Sequence, residues 1–429
     1  MEYNEKINNI NVIFNIKKYM RITFIRLITY IGFVKRIINH TINKKEINNN
    51  ILIYPPASPG SLGDEAMELA FLCHKYGKMN QKYGLIALSK NDNWNHLPNI
   101  TKIIPYASLQ GSIIELLKFF YNLSSFDKIY IIGADIMDGG YSKKVALDRL
   151  KLATIASKMG LQTAIVNFSV NNNVPEEIIE AFVKLPQKVR LVCRDSVSQQ
   201  RLSLLTGRIP ELSADVAFLL KPALESPLVL SVFDWICKER SQGRTIIGVN
   251  INPQVLGKNI SEIKIYQLID SYSITINNLM KGKDNYSIVF LPHDFRGLNN
   301  DLTLTQLIVK QLPKDLLMHC ILPNIPYNPR EIKAICTRLE FIFTGRMHLA
   351  ILGLGVGVPV ACIGYQGKFE GLFKHYKLES QVISSESALN SEQLSNFFFK
   401  SISNRGIVKT QIGSLKSKII KLAENNLPN

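Results

Sequence analysis

The chain has 429 residues, 46% hydrophobic and 20% charged, a balance that excludes a disordered or collagenous chain and suits two globular domains better than one core. Its 51 basic and 34 acidic side chains leave a formal net charge of +17, which favours anionic partners: a phosphorylated small molecule, an acidic glycan, anionic lipid or nucleic acid. Nucleic acid is set aside, because no aromatic-basic RNA signature, zinc-finger spacing or basic region with heptads occurs.

Residues 1–50 differ from the rest. Between 16 and 39, apolar Ile22, Phe24, Ile25, Leu27, Ile28, Ile31, Val34, Ile37 and Ile38 interleave with Lys17, Lys18, Arg21, Arg26, Lys35 and Arg36. No uncharged run reaches the roughly 18 residues needed to span a bilayer. Two readings stand: a basic amphipathic helix lying on an anionic membrane surface, or a helix packed on the first domain. The polar stretch 43–50 reads as a linker.

From Ile51 short β-rich runs alternate with helical patterns, which predicts βαβ units and a parallel sheet. In the first domain, 51–224, strands are expected at 51–54, 83–88, 128–132, 163–168 and 189–193, with helices at 64–76, 112–121, 143–159 and 175–185. A second set, 225–389, follows the proline-punctuated stretch 221–227, with strands at 245–250, 287–291, 316–322, 340–343 and 358–363. The fold class is therefore α/β, two doubly wound Rossmann-like domains facing across a cleft, with the carboxyl ends of both sheets turned to one shared site. Residues 390–429 read as closing helices, the first capped by Asn390. The six cysteines stand singly, without a CxxC pair, and read as small core hydrophobes. No secretory signal with a small-residue cleavage site is present, which points to a reducing cytoplasm.

The chemistry-bearing residues fall at predicted strand ends. After the first strand, Pro59-Gly60-Ser61-Leu62-Gly63-Asp64-Glu65 opens a helix. Asp64 and Glu65 stand where carboxylates favour the helix dipole, and either cap the helix or face a ligand. Gly133-Ala134-Asp135-Ile136-Met137-Asp138-Gly139-Gly140 occupies the site position of a doubly wound sheet. There Asp135 and Asp138 hold sugar hydroxyls or close an Asx turn. Arg194 at the end of 189–193 suits a phosphate or carboxylate, and equally an ion pair with Asp195 or a glutamate. His293, in Leu291-Pro292-His293-Asp294, is either a ligand contact or a hydrogen-bonded loop histidine.

The most informative stretch runs from Phe341 to Val360: a buried strand, a glycine turn at Gly345, then a helix starting with Arg346 and His348. A helix N-terminus, a guanidinium and an imidazole converge there on an anion-sized spot, and burying two basic groups without an anion is costly. Lys368, in Gly364-Tyr365-Gln366-Gly367-Lys368, offers a further anion contact.

Taken together, Gly63-Asp64-Glu65-Ala66, the 133–140 loop, Arg194-Asp195-Ser196, Asp215, Gly345-Arg346-Met347-His348, Gly357-Val358-Pro359 and 365–368 resemble the polysaccharide pyruvyl transferases. The resemblance covers roughly residues 51–385, with the first 50 outside it. It departs at Gly133-Ala134-Asp135, where many members carry a run of glycines, and at 167–171, which replaces a loop richer in glycine and proline. The resemblance implies a GT-B-like fold, phosphoenolpyruvate as co-substrate, and neither metal nor organic cofactor. It implies transfer of pyruvate, as a ketal, to a saccharide acceptor of a polysaccharide or lipid-linked precursor. Donor contacts then fall to Arg194, Gly345, Arg346 and Lys368, and acceptor contacts to Asp64, Glu65, Asp135, Asp138 and His293. His348 becomes the general acid and base, assisted by Arg346, with Asp64 or Asp138 deprotonating the attacking hydroxyl. Apart from the resemblance, the single cysteines point to a cytoplasmic setting, and the amphipathic reading of residues 16–39 places the chain peripherally at the inner face of the plasma membrane. The competing readings are a GT-B glycosyltransferase using a nucleotide sugar, and a non-catalytic relative that binds anionic glycan.

Overall fold

The computed structural model describes residues 23, 25, 27–32, 34, 50–73, 83–89, 91–95, 97–109, 112–257, 261–282, 285–365 and 367–428. Two wholly parallel sheets organise them, one of seven strands in the order β3-β2-β1-β4-β5-β6-β7 and one of six in the order β10-β9-β8-β11-β12-β13. The first comprises β1 Ile51–Tyr54, β2 Tyr83–Ala87, β3 Ile100–Pro105, β4 Lys128–Ala134, β5 Gln162–Phe168, β6 Arg190–Cys193 and β7 Glu211–Leu212. The second comprises β8 Thr245–Val249, β9 Tyr286–Phe290, β10 Cys320–Ile321, β11 Phe341–Thr344, β12 Val360–Gly364 and β13 Val382–Ser384. Each sheet reverses its winding once, between β1 and β4 and between β8 and β11. Those are the switch points at which doubly wound sheets form a crevice.

The central strands carry unbroken apolar runs, and β1 and β2 are buried at every position, because helices cover both faces of a parallel sheet. Edge strands lack that signal. β3 alternates, with Ile103 exposed and Ile104 buried, and was not expected, nor were β7 and β13, of two and three residues. The expected strand at 316–322 is corrected: a short helix, Lys314–Leu317, starts after Pro313 and leaves only Cys320–Ile321 to pair with β9. Pro175 is the N-cap of its helix rather than a first-turn residue. Of the cysteines, Cys193, Cys336 and Cys362 are buried, whereas Cys73 and Cys237 are exposed and are not core residues.

One apolar core runs through both sheets' neighbours. It takes Ala66 and Leu69 from the helix Leu62–Cys73, Phe218 from the 3-10 turn Val216–Leu219, Ile335 from the helix Pro329–Cys336 and Ile351 from the helix Met347–Val356. The two terminal helices divide between the domains. Ser391–Ser403, capped by Asn390, packs Phe398 against Phe343 at 4.7 Å between ring centroids. Arg405–Ala423 returns Val408, Ile412 and Ile419 to the shared core. Beyond it Asn426 donates to Ser213 Oγ at 2.6 Å and to the Ala214 carbonyl at 2.8 Å, tying the chain's end to the first sheet.

Most of the segment 16–39 and of the linker 43–50 lies outside the described residues. Among those described, Ile28 is buried in the first domain's core and Gly32 lies against Met159, while Leu27, Tyr30 and Ile31 are exposed. No helix among the described residues is long and apolar enough to cross a membrane.

Candidate active site

A cleft of about 210 Å³ opens between the two sheets, and its walls are the segments that leave strand ends. Ser61 follows β1, Asp135 and Tyr141 follow β4, Gln254 follows β8, His293 and Arg296 follow β9, Arg346 follows β11 and Tyr365 follows β12. The helices Leu62–Cys73 and Met347–Val356 point their first turns into it through Asp64 and His348. Backbone pairing closes the seam at one end: Leu62 donates to the His293 carbonyl at 3.2 Å, and Ser61 and Asp294 form an antiparallel bridge.

Arg346 is the N-cap of Met347–Val356, and a chain of buried polar groups holds it. Its N–H donates to Thr344 Oγ1 at 2.8 Å, and Thr344 donates to Asn250 Oδ1 at 2.9 Å. Asn250 in turn donates to Asp301 at 2.8 Å. Asp301, fully buried at the start of the helix Asp301–Gln311, grips the Arg346 guanidinium at 2.6 Å. Arg346 Nη1 also donates to Asp294 at 3.2 Å and to Gln254 Oε1 at 3.1 Å. Burial works to lower the guanidinium's pKa, but Asp301 and Asp294 outweigh it and hold Arg346 above its ordinary range. The expectation that these basic groups lack an internal anion is therefore corrected. The cation is already compensated, and a ligand meets a rigid guanidinium rather than an uncompensated charge.

His348, two residues on from Arg346 in the same helix, lays its ring across the seam against Gly63 of the facing domain. A β-carbon at Gly63 would sit 2.4 Å from His348 Nδ1, so glycine is required there for close approach. The other ring nitrogen, Nε2, faces Asp215 Oδ2 at 3.6 Å, an ion-pair distance too long for a hydrogen bond. Burial works to raise the Asp215 pKa, and His348, Arg194 and the Ala217 N–H reverse this, holding it at about 2. Asp215 thus acts as a fixed anion behind the imidazole. Arg194 stands behind Asp215, donating to it at 3.1 Å and to Ser169 Oγ at 2.6 Å. Arg194 does not line the cleft; its ion-pair partner is Asp215, not Asp195, which caps the helix Ser196–Thr206 by accepting from Ser198 N–H.

The cleft gathers Asp64, Asp135, His293, Arg346 and His348 from the expected set. Burial raises the Asp64 carboxyl above the usual range, against the pull of His348 and Arg296. Tyr141 donates to Asp135 at 3.2 Å. His293 is buried and neither ring nitrogen has a hydrogen-bond partner, so it is not the hydrogen-bonded loop histidine. Burial sets its pKa well below the imidazole range, with His348 and Arg346 acting in the same direction.

Glu65, Asp138 and Gly345 are placed otherwise. Glu65 accepts from the Gly60 N–H at 2.9 Å, within its own loop. Asp138 accepts from the Gly140 and Asn171 N–H groups at 2.8 and 3.1 Å, closing an Asx turn outside the cleft. Gly345 turns its carbonyl to Asn252 Nδ2 at 2.7 Å. Lys368 begins the helix Lys368–Tyr376, and its side chain lies outside the described residues. Ala134 adopts φ +47°, a conformation that glycine takes without strain. Sequence reasoning missed Asp301, Asn250 and Arg296. The signal for Asp301 was the Asn300-Asp301 pair at a helix start after β9, which reads as capping alone.

The two facing doubly wound domains are the GT-B class. The chain is similar to a putative UDP-N-acetylglucosamine 2-epimerase from Listeria monocytogenes, at 11% identity over 88% of this chain and 93% of that one, with TM-score 0.55. It is similar to apo UGT2 of Phytolacca americana, at 11% identity over 88% and 96% of the two chains, with TM-score 0.53. A UDP-forming trehalose-phosphate synthase from Burkholderia xenovorans aligns at 10% identity over 88% and 97%, with TM-score 0.51. At such identities the likeness is one of fold. The family profile for polysaccharide pyruvyl transferase matches residues 15–367; the chain belongs to that family. The match begins at residue 15, so the N-terminal segment is not outside the family, and it ends at 367 rather than 385. No curated protein matches the chain at a significant level.

Proposed function

We propose that this transferase moves pyruvate from phosphoenolpyruvate to two hydroxyls of a saccharide, forming a ketal and releasing inorganic phosphate. The observation that carries the reading is the meeting of His348 and Arg346, on one helix start, with the first turn of the facing domain's helix in a single cleft. Arg346 and Arg296 line that cleft and are the donor's cationic contacts. Asp215, held by Arg194, stands one step behind and sets a negative charge beside His348.

His348 delivers a proton to the methylene carbon, which becomes the methyl group, and positive charge develops at carbon 2. One sugar hydroxyl adds there and gives up its proton to a neighbouring base, for which Asp64 is placed in the cleft. The carbon–oxygen bond to phosphate then breaks, the guanidiniums take the leaving charge, and the second hydroxyl closes the ketal. Its proton leaves with phosphate.

Phosphate release from phosphoenolpyruvate, measured with free and lipid-linked glycans, tests the reading. Wild type releases phosphate only with an acceptor, and His348→Ala and Arg346→Ala, with melting temperatures near wild type, lose at least about a hundredfold. Release that survives His348→Ala, or that needs no acceptor, refutes it.

A further inference from the structure

His293 is 2% exposed and belongs to the cleft wall, yet both ring nitrogens lack a partner. Elsewhere in the segment polar groups are well supplied: the His293 N–H goes to Asp301 at 3.0 Å, its carbonyl accepts from Leu62, and Asp294 holds Arg296 at 2.8 Å. An imidazole left unmatched in such a network costs free energy unless a ligand completes it. We infer that His293 is the residue that reads a hydroxyl of the acceptor sugar, giving the transferase its selectivity for a hydroxylated ligand in the part of the cleft beside the domain seam.

The hydrogen-bond inventory of the ring selects that ligand chemistry. A neutral imidazole has one N–H and one lone pair, and a hydroxyl both accepts and donates. A phosphate or carboxylate oxygen answers only the N–H. Protonation of the ring is opposed by burial and by Arg346 and His348 nearby, so His293 does not duplicate the cations that face the donor. The neighbouring Asp64 faces the same space, where it can take the proton of the hydroxyl that His293 orients. This inference rests on the pyruvyl-transfer reading for the identity of the second ligand, but not on turnover.

Binding of phosphoenolpyruvate and of methyl glucoside, galactoside, mannoside and N-acetylglucosaminide is measured by calorimetry for wild type, His293→Phe and His293→Gln. At least one hexoside binds wild type, weakens about tenfold or more in His293→Phe, and returns to within about threefold in His293→Gln, which keeps a donor and an acceptor. Phosphoenolpyruvate affinity stays unchanged in both variants. Nitrogen-15 spectra of the wild-type histidines give a second readout that needs no variant: the neutral His293 ring shifts with the hexoside and not with inorganic phosphate. Unchanged hexoside affinity in His293→Phe, loss of phosphoenolpyruvate affinity with it, or no hexoside binding to wild type overturns the assignment. Failure of phosphoenolpyruvate to bind wild type, with hexoside binding intact, removes the donor reading and leaves the His293 assignment standing.

Discussion

At the scale of single residues the cleft is held by contacts that tolerate little displacement. Gly63 has no room for a side chain because the His348 ring lies on it. Gly63→Ala is expected to push the imidazole out of place and to lower activity on the order of a hundredfold, and because Gly63 is buried the overpacking also costs about 1–3 kcal/mol of stability. Steady-state kinetics beside a thermal melt separates the two effects. Asp301 satisfies three groups at once, the Arg346 guanidinium, the Asn250 amide and the His293 N–H. Asp301→Ala leaves a buried cation short of its main partner and is expected to destabilise by about 3 kcal/mol in denaturant unfolding. A loss below about 1 kcal/mol contradicts that account. Asp215 gives a prediction in pH. Its folded pKa is about 2 against an ordinary 3.8, so its stabilisation is complete above pH 3.8 and is lost as pH falls through about 2. The difference corresponds to about 2 kcal/mol. Wild type should lose more stability between pH 5 and pH 2 than Asp215→Asn by roughly that amount, and parallel stability curves for the two proteins are the contrary outcome.

At the scale of elements, what could be read in advance follows from burial. β1, β4, β5 and β11 are largely apolar and buried at nearly every position, and their positions were apparent within a residue or two. β3, β7 and β13 lie toward sheet edges, are short or half-exposed, and carry no such pattern. The strand-to-helix unit around Arg346 and His348 was legible because the glycine turn and the basic residues are adjacent in sequence. The carboxylates that compensate Arg346 were not, since Asp294 and Asp301 lie 52 and 45 residues away and meet it only through the fold. The N-terminal helical residues belong to this scale too. Ile28 anchors them in the first domain while Leu27, Tyr30 and Ile31 face outward, and we propose that this outer face rests on anionic lipid. Leu27→Asp with Ile31→Asp should reduce sedimentation with phosphatidylglycerol vesicles several-fold while leaving the melting temperature within a few degrees; unchanged sedimentation removes the membrane role.

At the scale of the whole molecule, the two sheets reverse their winding at the same relative place, and every wall of the cleft follows from that. Loops leaving the strand ends at two switch points can meet only across the domain seam, which is why residues from 56 to 365 share one site. The seam is an apolar core rather than a hinge of few contacts, with helices from both domains and Arg405–Ala423 packed into it. Catalysis and stability are therefore coupled through the same helices, Leu62–Cys73 and Met347–Val356. In the proposed reaction this cleft converts an enol phosphate and a diol into a ketal. The most direct test follows phosphoenolpyruvate labelled with carbon-13 at carbon 2 through reaction with a glycan acceptor. The label is expected in the glycan as a quaternary ketal carbon, with one inorganic phosphate released per carbon transferred. Label that remains in phosphoenolpyruvate, or that emerges as free pyruvate with every acceptor, contradicts the proposed reaction.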